Sequence, residues 1–311
     1  MYRLLADILN DIAFVLDCLS PAFPKVIRVV VLSFSSVLRA LCGVAAGSAK
    51  ASLSAHFARW GNLGELNAKD SSQETVISLF GMLVGSLVVQ WVQSPIATWT
   101  TLILLLSIHL ETNRRAVRAV TMRTLNRQRA TLVYHQLPMG HVPTPEEVAK
   151  VEQIFERDGI LRDLHWKIIG YCQIGAPAQR VLRTLFSNAS PELAVKIYKD
   201  SAHMLCFSYP DIPSRQTQCD VLLKPGSTAR DLLIAWWQAL TVADLVQHSR
   251  AEKMDSKHEE YSNHYERTLR ESLAVATGMV RKFEGPLQDK GWDLDTGALE
   301  TTSGTRVTIE T

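Results

Sequence analysis

TVISLFGMLVGSLVVQWVQSPIATWTTLILLLSIHL, residues 75–110, runs 36 residues without an Asp, Glu, Lys or Arg. Its main polar interruptions are Gln90, Gln93, the Ser94-Pro95 pair and His109. A charge inside hydrocarbon costs several kcal/mol, so a long uncharged apolar run is where lipid becomes a plausible solvent. Arg114, Arg115, Arg118, Arg123, Arg127 and Arg129 follow within 20 residues, opposed only by Glu111. An apolar block closed by a basic flank is the pattern of a membrane segment with a cytoplasm-like side. Ser71-Ser72-Gln73-Glu74 reads as a capping box. The helix it opens reaches about Gln93, roughly 31 Å, and Ile96 to Leu110 adds roughly 22 Å. Two antiparallel passes fit, as does one pass with a re-entrant limb. A helical hairpin buried in a large soluble core is the alternative.

Upstream, residues 2–19 read as an amphipathic helix stopped by Ser20-Pro21 and Phe23-Pro24. Residues 25–58 form a second helical run, apolar at first and then crowded with small residues. Gly43 and Gly47, like Gly81 and Gly85, have the spacing that lets another backbone come close in membrane bundles. Ala-rich soluble helices use the same device. Gly61 to Asp70 reads as a polar connector.

Beyond residue 140 the texture changes. Thr144-Pro145-Glu146-Glu147 is a helix start with Thr as cap and Glu closing the box. Trp166 to Ile174, Met204 to Tyr209 and Thr217 to Leu223 read as strands. Pro177–Phe186 and Pro191–Asp200 read as helices, and Ser227 or Thr228 caps another reaching about His248. Residues 256–284 form a charged amphipathic helix, and the tail from Gly285 reads as weakly ordered except near Trp292. The expectation is a mainly α protein: a helical, membrane-associated bundle over residues 1–140, then a smaller soluble mixed α+β domain over 141–311.

Charge divides the same way. Residues 1–140 carry 13 Lys+Arg against 7 Asp+Glu, and 141–311 carry 20 against 24. A basic, apolar first half suits an anionic lipid surface, and nucleic acid is not an expected partner of so nearly neutral a chain. Cys18, Cys42, Cys172, Cys206 and Cys219 are sparse and form no CxxC pair, which points to a reducing compartment for the second domain.

Six ordered motifs resemble one family. They are Tyr2-Arg3-Leu4-Leu5-Ala6-Asp7-Ile8-Leu9-Asn10-Asp11, Gly43-Val44-Ala45-Ala46-Gly47, His56-Phe57-Ala58, Asn67-Ala68-Lys69-Asp70-Ser71-Ser72-Gln73-Glu74-Thr75, Asn113-Arg114-Arg115-Ala116-Val117-Arg118 and Thr124-Leu125-Asn126-Arg127-Gln128-Arg129. In this order they resemble the root UVB sensitive family, whose shared region is the vitamin B6 photo-protection and homoeostasis domain. The likeness is close over residues 2–140 and looser beyond, where Trp236, Leu240 and Gly291-Trp292 match. It implies a membrane-associated protein with a part in pyridoxal-phosphate homoeostasis or small-metabolite transport, pyridoxal phosphate as a ligand, and a protein partner of the same family. It implies no reaction. Members carry a substantial segment ahead of the Arg-Leu-x-Ala-Asp motif, so the resemblance implies an N-terminally truncated member whose organelle address lay in the missing part. A scaffold that recruits a partner protein to a membrane is the second functional expectation.

Arg114, Arg118 and Arg127 are the anion-binding candidates, because guanidinium forks match phosphate oxygens. An interfacial anchor facing lipid head groups is the favoured reading of the same cluster. Gly226-Ser227-Thr228 lies where helix amides take an anion, though it lacks a nucleotide-loop pattern and reads as a plain cap. Asp7, Asn10, Asp11, His56, Lys69, Asp70 and Glu74 bracket the apolar helices, as a polar pathway or as caps and solvated ends. No HExxH, Cys/His, GxSxG or dinucleotide motif occurs, so neither a metal site nor a catalytic residue is expected.

Overall fold

The computed structural model describes residues 2–58, 61–188, 191–208, 216–249, 258–301 and 306. It divides into two compact units, Met1–Val120 and Thr121–Thr311. The first is all helix: α1 (Tyr2–Leu19), a 3-10 turn (Ser20–Ala22), α2 (Lys25–Phe57), α3 (Leu63–Trp91) and α4 (Pro95–Ala119). The prolines end α1, and Arg28 closes its C-terminus by donating to the carbonyls of Ser20 (3.2 Å) and Pro21 (3.0 Å). Leu4, Ala6 and Ala13 of α1 and Leu38, Ala45 and Ala49 of α2 are this unit's buried apolar residues. The Ser35 hydroxyl donates to the Ala13 carbonyl at 3.1 Å across the same contact.

α3 begins at Leu63, eight residues before the expected cap. Ser71 to Glu74 are therefore interior helix. The Ser72 hydroxyl bonds back to the Ala68 carbonyl at 2.8 Å, and Glu74 turns to Lys50 of α2 at 2.7 Å. Lys50 also meets Asp70 at 2.8 Å, and Ser54 donates to Asn67 at 2.7 Å. These polar contacts join α3 to α2, and α3 buries no residue of its own. The Ser94 hydroxyl accepts from the Ala97 amide at 3.1 Å and caps α4, with Pro95 at its first position. The glycine-spaced faces are open: a Cβ at Gly43, Gly47, Gly81 or Gly85 would meet nothing within 4 Å. Close backbone approach within the described chain is not what those glycines serve.

The second unit is α+β. Its elements are β1 (Thr124–Asn126), α5 (Arg127–Gln136), α6 (Pro145–Val151), β2 (Ile160–Arg162), β3 (Ile168–Ile174), α7 (Ala178–Asn188), α8 (Pro191–Ile197), β4 (His203–Ser208), β5 (Thr217–Leu223), α9 (Ala229–Ser249), α10 (His258–Asp289) and β6 (Asp293–Ala298). Four strands form one sheet in the order β2-β3-β5-β4, parallel only between β3 and β5. β1 and β6 form a separate parallel pair. The capping box at Thr144 and Glu147 is present.

α9 sits at the centre, burying Leu233, Trp236, Trp237, Leu240, Val242 and Ala243. Burying aromatic bodies this size is worth roughly 1.5–3 kcal/mol each only if the indole N–H finds an acceptor. Trp236 donates to the Thr131 hydroxyl and Trp237 to the Ala130 carbonyl, both at 3.0 Å. Gln238 is fully buried and bonds Tyr198 (2.6 Å) and His203 (2.8 Å).

The tail departs from expectation in part: α10 continues through Pro286 to Asp289 and β6 pairs with β1. Trp292, where order was expected, is buried with its indole donating to the Pro143 carbonyl at 2.8 Å. Residues 302–305 and 307–311 of that tail lie outside the described residues.

Gly170 of β3 packs so closely that a Cβ would stand 2.7 Å from the Thr217 carbonyl oxygen of β5. Gly170→Ala should therefore cost about 2 kcal/mol or more by forcing the ladder apart. Gly278→Ala, in open space within α10, should stabilise by about 0.5–1 kcal/mol. Denaturant midpoints followed by tryptophan fluorescence check both signs.

Candidate functional site

The arginine candidates have different fates. Arg114 grips Glu111 with two bonds (2.7 and 2.9 Å), and Arg115 adds a third at 2.7 Å. Hydrogen bonds from Arg114 and then Arg115 hold the Glu111 carboxyl down at about 2. Arg118, at the C-terminal end of α4, is exposed. Arg127 belongs to the second unit, where it is nine-tenths buried. Its Nε donates to the Leu299 carbonyl at 2.8 Å, Nη1 reaches Asp158 at 2.6 Å, and the guanidinium lies 5.7 Å from the Trp236 ring centre. Its neighbour Arg129 is equally enclosed, held by Glu152 at 3.1 Å and by the Thr124 carbonyl. Burial lowers the Arg129 pKa. Arg127 and Arg129 thus fasten β1 and α5 to the second unit's interior.

Gly226-Ser227-Thr228 is a helix cap. Asp231 accepts from both the Thr228 amide (2.8 Å) and hydroxyl (2.7 Å), and a carboxylate already stands where an anion would bind. A pyridoxal phosphate needs a phosphate cradle, and neither Arg114, Arg127 nor this cap offers an open one. No group of three or more metal-ligating side chains occurs among the described residues. Burial pushes the thiols of Cys172 and Cys206 up to about 12 and raises that of Cys219 well above its ordinary value, so they are closed to thiolate chemistry.

The polar groups of the first unit sort into two sets. Asp70 and Glu74 share Lys50, as above, and Lys69 pairs with Glu65 at 2.7 Å on the α3 surface. Asp11 is nine-tenths buried and faces His109 of α4, whose Nδ1 lies 3.1 and 3.4 Å from the two carboxylate oxygens. Asp7, one turn earlier on α1, has a buried Oδ2 with no hydrogen-bond partner in the described residues. His109, 98 residues away in sequence, is the member that spacing along the chain did not reveal. Its one signal was a titratable side chain inside the uncharged run.

Two family models cover the chain. The vitamin B6 photo-protection and homoeostasis domain matches residues 1–139, and the root UVB sensitive protein C-terminal domain matches residues 142–303. The chain belongs to the root UVB sensitive family. Protein root UVB sensitive 3 of Arabidopsis thaliana is 30% identical over 257 residues, covering 80% of this chain and 56% of that protein. RUS family member 1 of Dictyostelium discoideum is 39% identical over 158 residues, 49% of this chain and 30% of its own length. Protein root UVB sensitive 2, chloroplastic, of Arabidopsis thaliana is 22% identical over 296 residues, 94% and 62% respectively. The chain thus spans between about a third and three fifths of the length of these family members. No solved structure matches it.

Arg127→Gln should lower the stability of the second unit by about 2 kcal/mol, because it leaves Asp158 and the Leu299 carbonyl short of a buried donor. Arg118→Gln, exposed, should leave it within about 0.5 kcal/mol. Chemical denaturation of the two variants side by side reads the difference.

A pH dependence follows from the histidine at Gln238. Burial holds His203 below its ordinary pKa, with the Gln238 bond opposing it. Above about pH 6.5 the group is neutral folded and unfolded; below it the unfolded chain takes a proton the folded one refuses. Stability should fall as pH drops through that window, and His203→Gln should flatten the fall in denaturant midpoint.

Proposed function

We propose that this chain is a membrane-embedded, non-catalytic factor of vitamin B6 homoeostasis, whose first unit sits in the bilayer and binds, carries or helps to traffic a small metabolite. The observation that carries it is α3: 29 residues, none buried, with Val76, Ile77, Leu79, Phe80, Leu83 and Val89 all turned outward. Water would penalise that surface by roughly 25 cal/mol for each Å² of apolar area, whereas acyl chains would not. The soluble-core alternative calls for a cover, and nothing in the described chain covers α3. Thr75 to Trp91 spans about 26 Å of uncharged helix and Pro95 to Leu110 about 24 Å, against a hydrocarbon thickness of about 30 Å. α2 is also long and apolar enough to cross, and its one mid-helix charge, Arg39, is neutralised by Asp17 of α1.

On this reading Arg114, Arg115 and Arg118 lie just past the last apolar limb, at the level of lipid phosphates. The metabolite role comes from the family's vitamin B6 photo-protection and homoeostasis domain, and it rests on no particular binding residue.

Alkaline carbonate extraction of the expressed chain should leave it in the membrane pellet. Leu83→Arg, which places a charge where Leu83 is 60% exposed, should release it, at an insertion cost of about 3 kcal/mol. A wild-type chain recovered as a monodisperse water-soluble particle overturns the bilayer assignment. Titration of detergent-solubilised protein with pyridoxal phosphate then tests the cargo: saturable binding supports a carrier, while no binding with one co-purifying protein supports a scaffold.

A further inference from the structure

Asp7 and Asp11 are four residues apart on α1 and share a helix face. Asp11 is enclosed and engaged with the His109 imidazole across the α1–α4 contact. Asp7 differs: one oxygen is sealed from solvent without a donor from any described residue. An ionised carboxylate can only accept, so that oxygen forfeits the water it gave up on folding and gains nothing in return. The acid form pays a smaller penalty, because a neutral carboxyl loses less on leaving water than a charged one. The like charge of Asp11 on the same face favours that form further.

We infer that Asp7 is a proton-binding site beside the Asp11–His109 contact of α1 and α4, one exchangeable proton residing on its carboxyl. The charges acting on Asp7 are Arg3 and Asp11 from its own helix and His109 from α4. α2, the other helix against α1, contributes none of them, and its Arg39 is committed to Asp17. The proton comes from and returns to water, with no bond to carbon altered and no electron moved. The inference needs only contacts within the first unit and stands whether lipid or detergent surrounds it.

Infrared difference spectroscopy of the full chain in detergent micelles, titrated through neutral pH, is the test. The expected result is a carboxylic-acid C=O stretch present at neutral pH and missing from D7N. Asp220 in the second unit is also a buried carboxyl, so the band is assigned from the wild-type minus D7N difference. H109Q removes the imidazole whose charge favours ionised Asp7, and should move the band's midpoint to higher pH, to about tenfold lower proton concentration. A wild-type spectrum with every carboxyl ionised at neutral pH overturns the site, as does a band that D7N leaves in place. Should D7N fail to fold, H109Q decides: an unmoved band belongs to another carboxyl and the inference fails. Carbonate extraction is indifferent to all of these outcomes, so the two ideas fail separately.

Discussion

Apolar side chains have to be removed from water, and the two units of this chain meet that demand in opposite ways. The second wraps its apolar residues around α9 and gives each buried indole an acceptor, at Thr131, Ala130 and Pro143. Its interior is closed by its own residues, with even Gln238 satisfied on both sides by Tyr198 and His203. The first unit joins α1 to α2 through a thin seam of Leu and Ala and leaves Val, Ile, Leu and Phe on the outer faces of α2, α3 and α4. The solvation of that outer surface decides how this unit is read. Proteins rarely leave contiguous apolar area of this kind uncovered.

The helices of the first unit were legible because their signals are local. Proline stops, an uncharged run and a Ser-Pro break need no knowledge of what lies across the fold, and α1, α2 and α4 follow them. The start of α3 was not legible for the same reason. Ser71 to Glu74 carries the chemistry of a cap, yet Lys50 from another helix takes Glu74, and the helix extends back to Leu63. With the helix already running through Leu63 to Asp70, the amides beyond Ser71 have intrahelical partners and need no cap.

In the second unit β4 and β5 showed as apolar runs, whereas β1 and β2 have three residues each, too few for any alternation to register. β6, Asp-Leu-Asp-Thr-Gly-Ala, resembles a tail until β1 offers it a ladder. Arg127 and Arg129 misled for a related reason: a one-dimensional charge run cannot separate Arg114, on an exposed helix end, from Arg127, enclosed beneath Trp236. The compact unit begins at Thr121, where Leu125, Ala130 and Val133 start supplying its core, while the two family domains meet near residue 140, where the composition changes.

Charge placement in the first unit carries its own argument. Arg28 lies on carbonyls that end α1, Arg39 on Asp17, Lys50 between Asp70 and Glu74, and His109 on Asp11. In water such pairs are worth about 0–1 kcal/mol, since solvent serves each partner nearly as well. In a low-dielectric surround an unpaired charge is far more costly, and pairing becomes a condition of folding. Four basic or imidazole groups with defined partners, set among outward-facing apolar side chains, form a pattern with little reward in water and a large one in lipid. Against that pattern the unpartnered oxygen of Asp7 stands out. A unit that pairs its charges this consistently would leave one carboxyl oxygen empty-handed at high cost, unless a proton already occupies it.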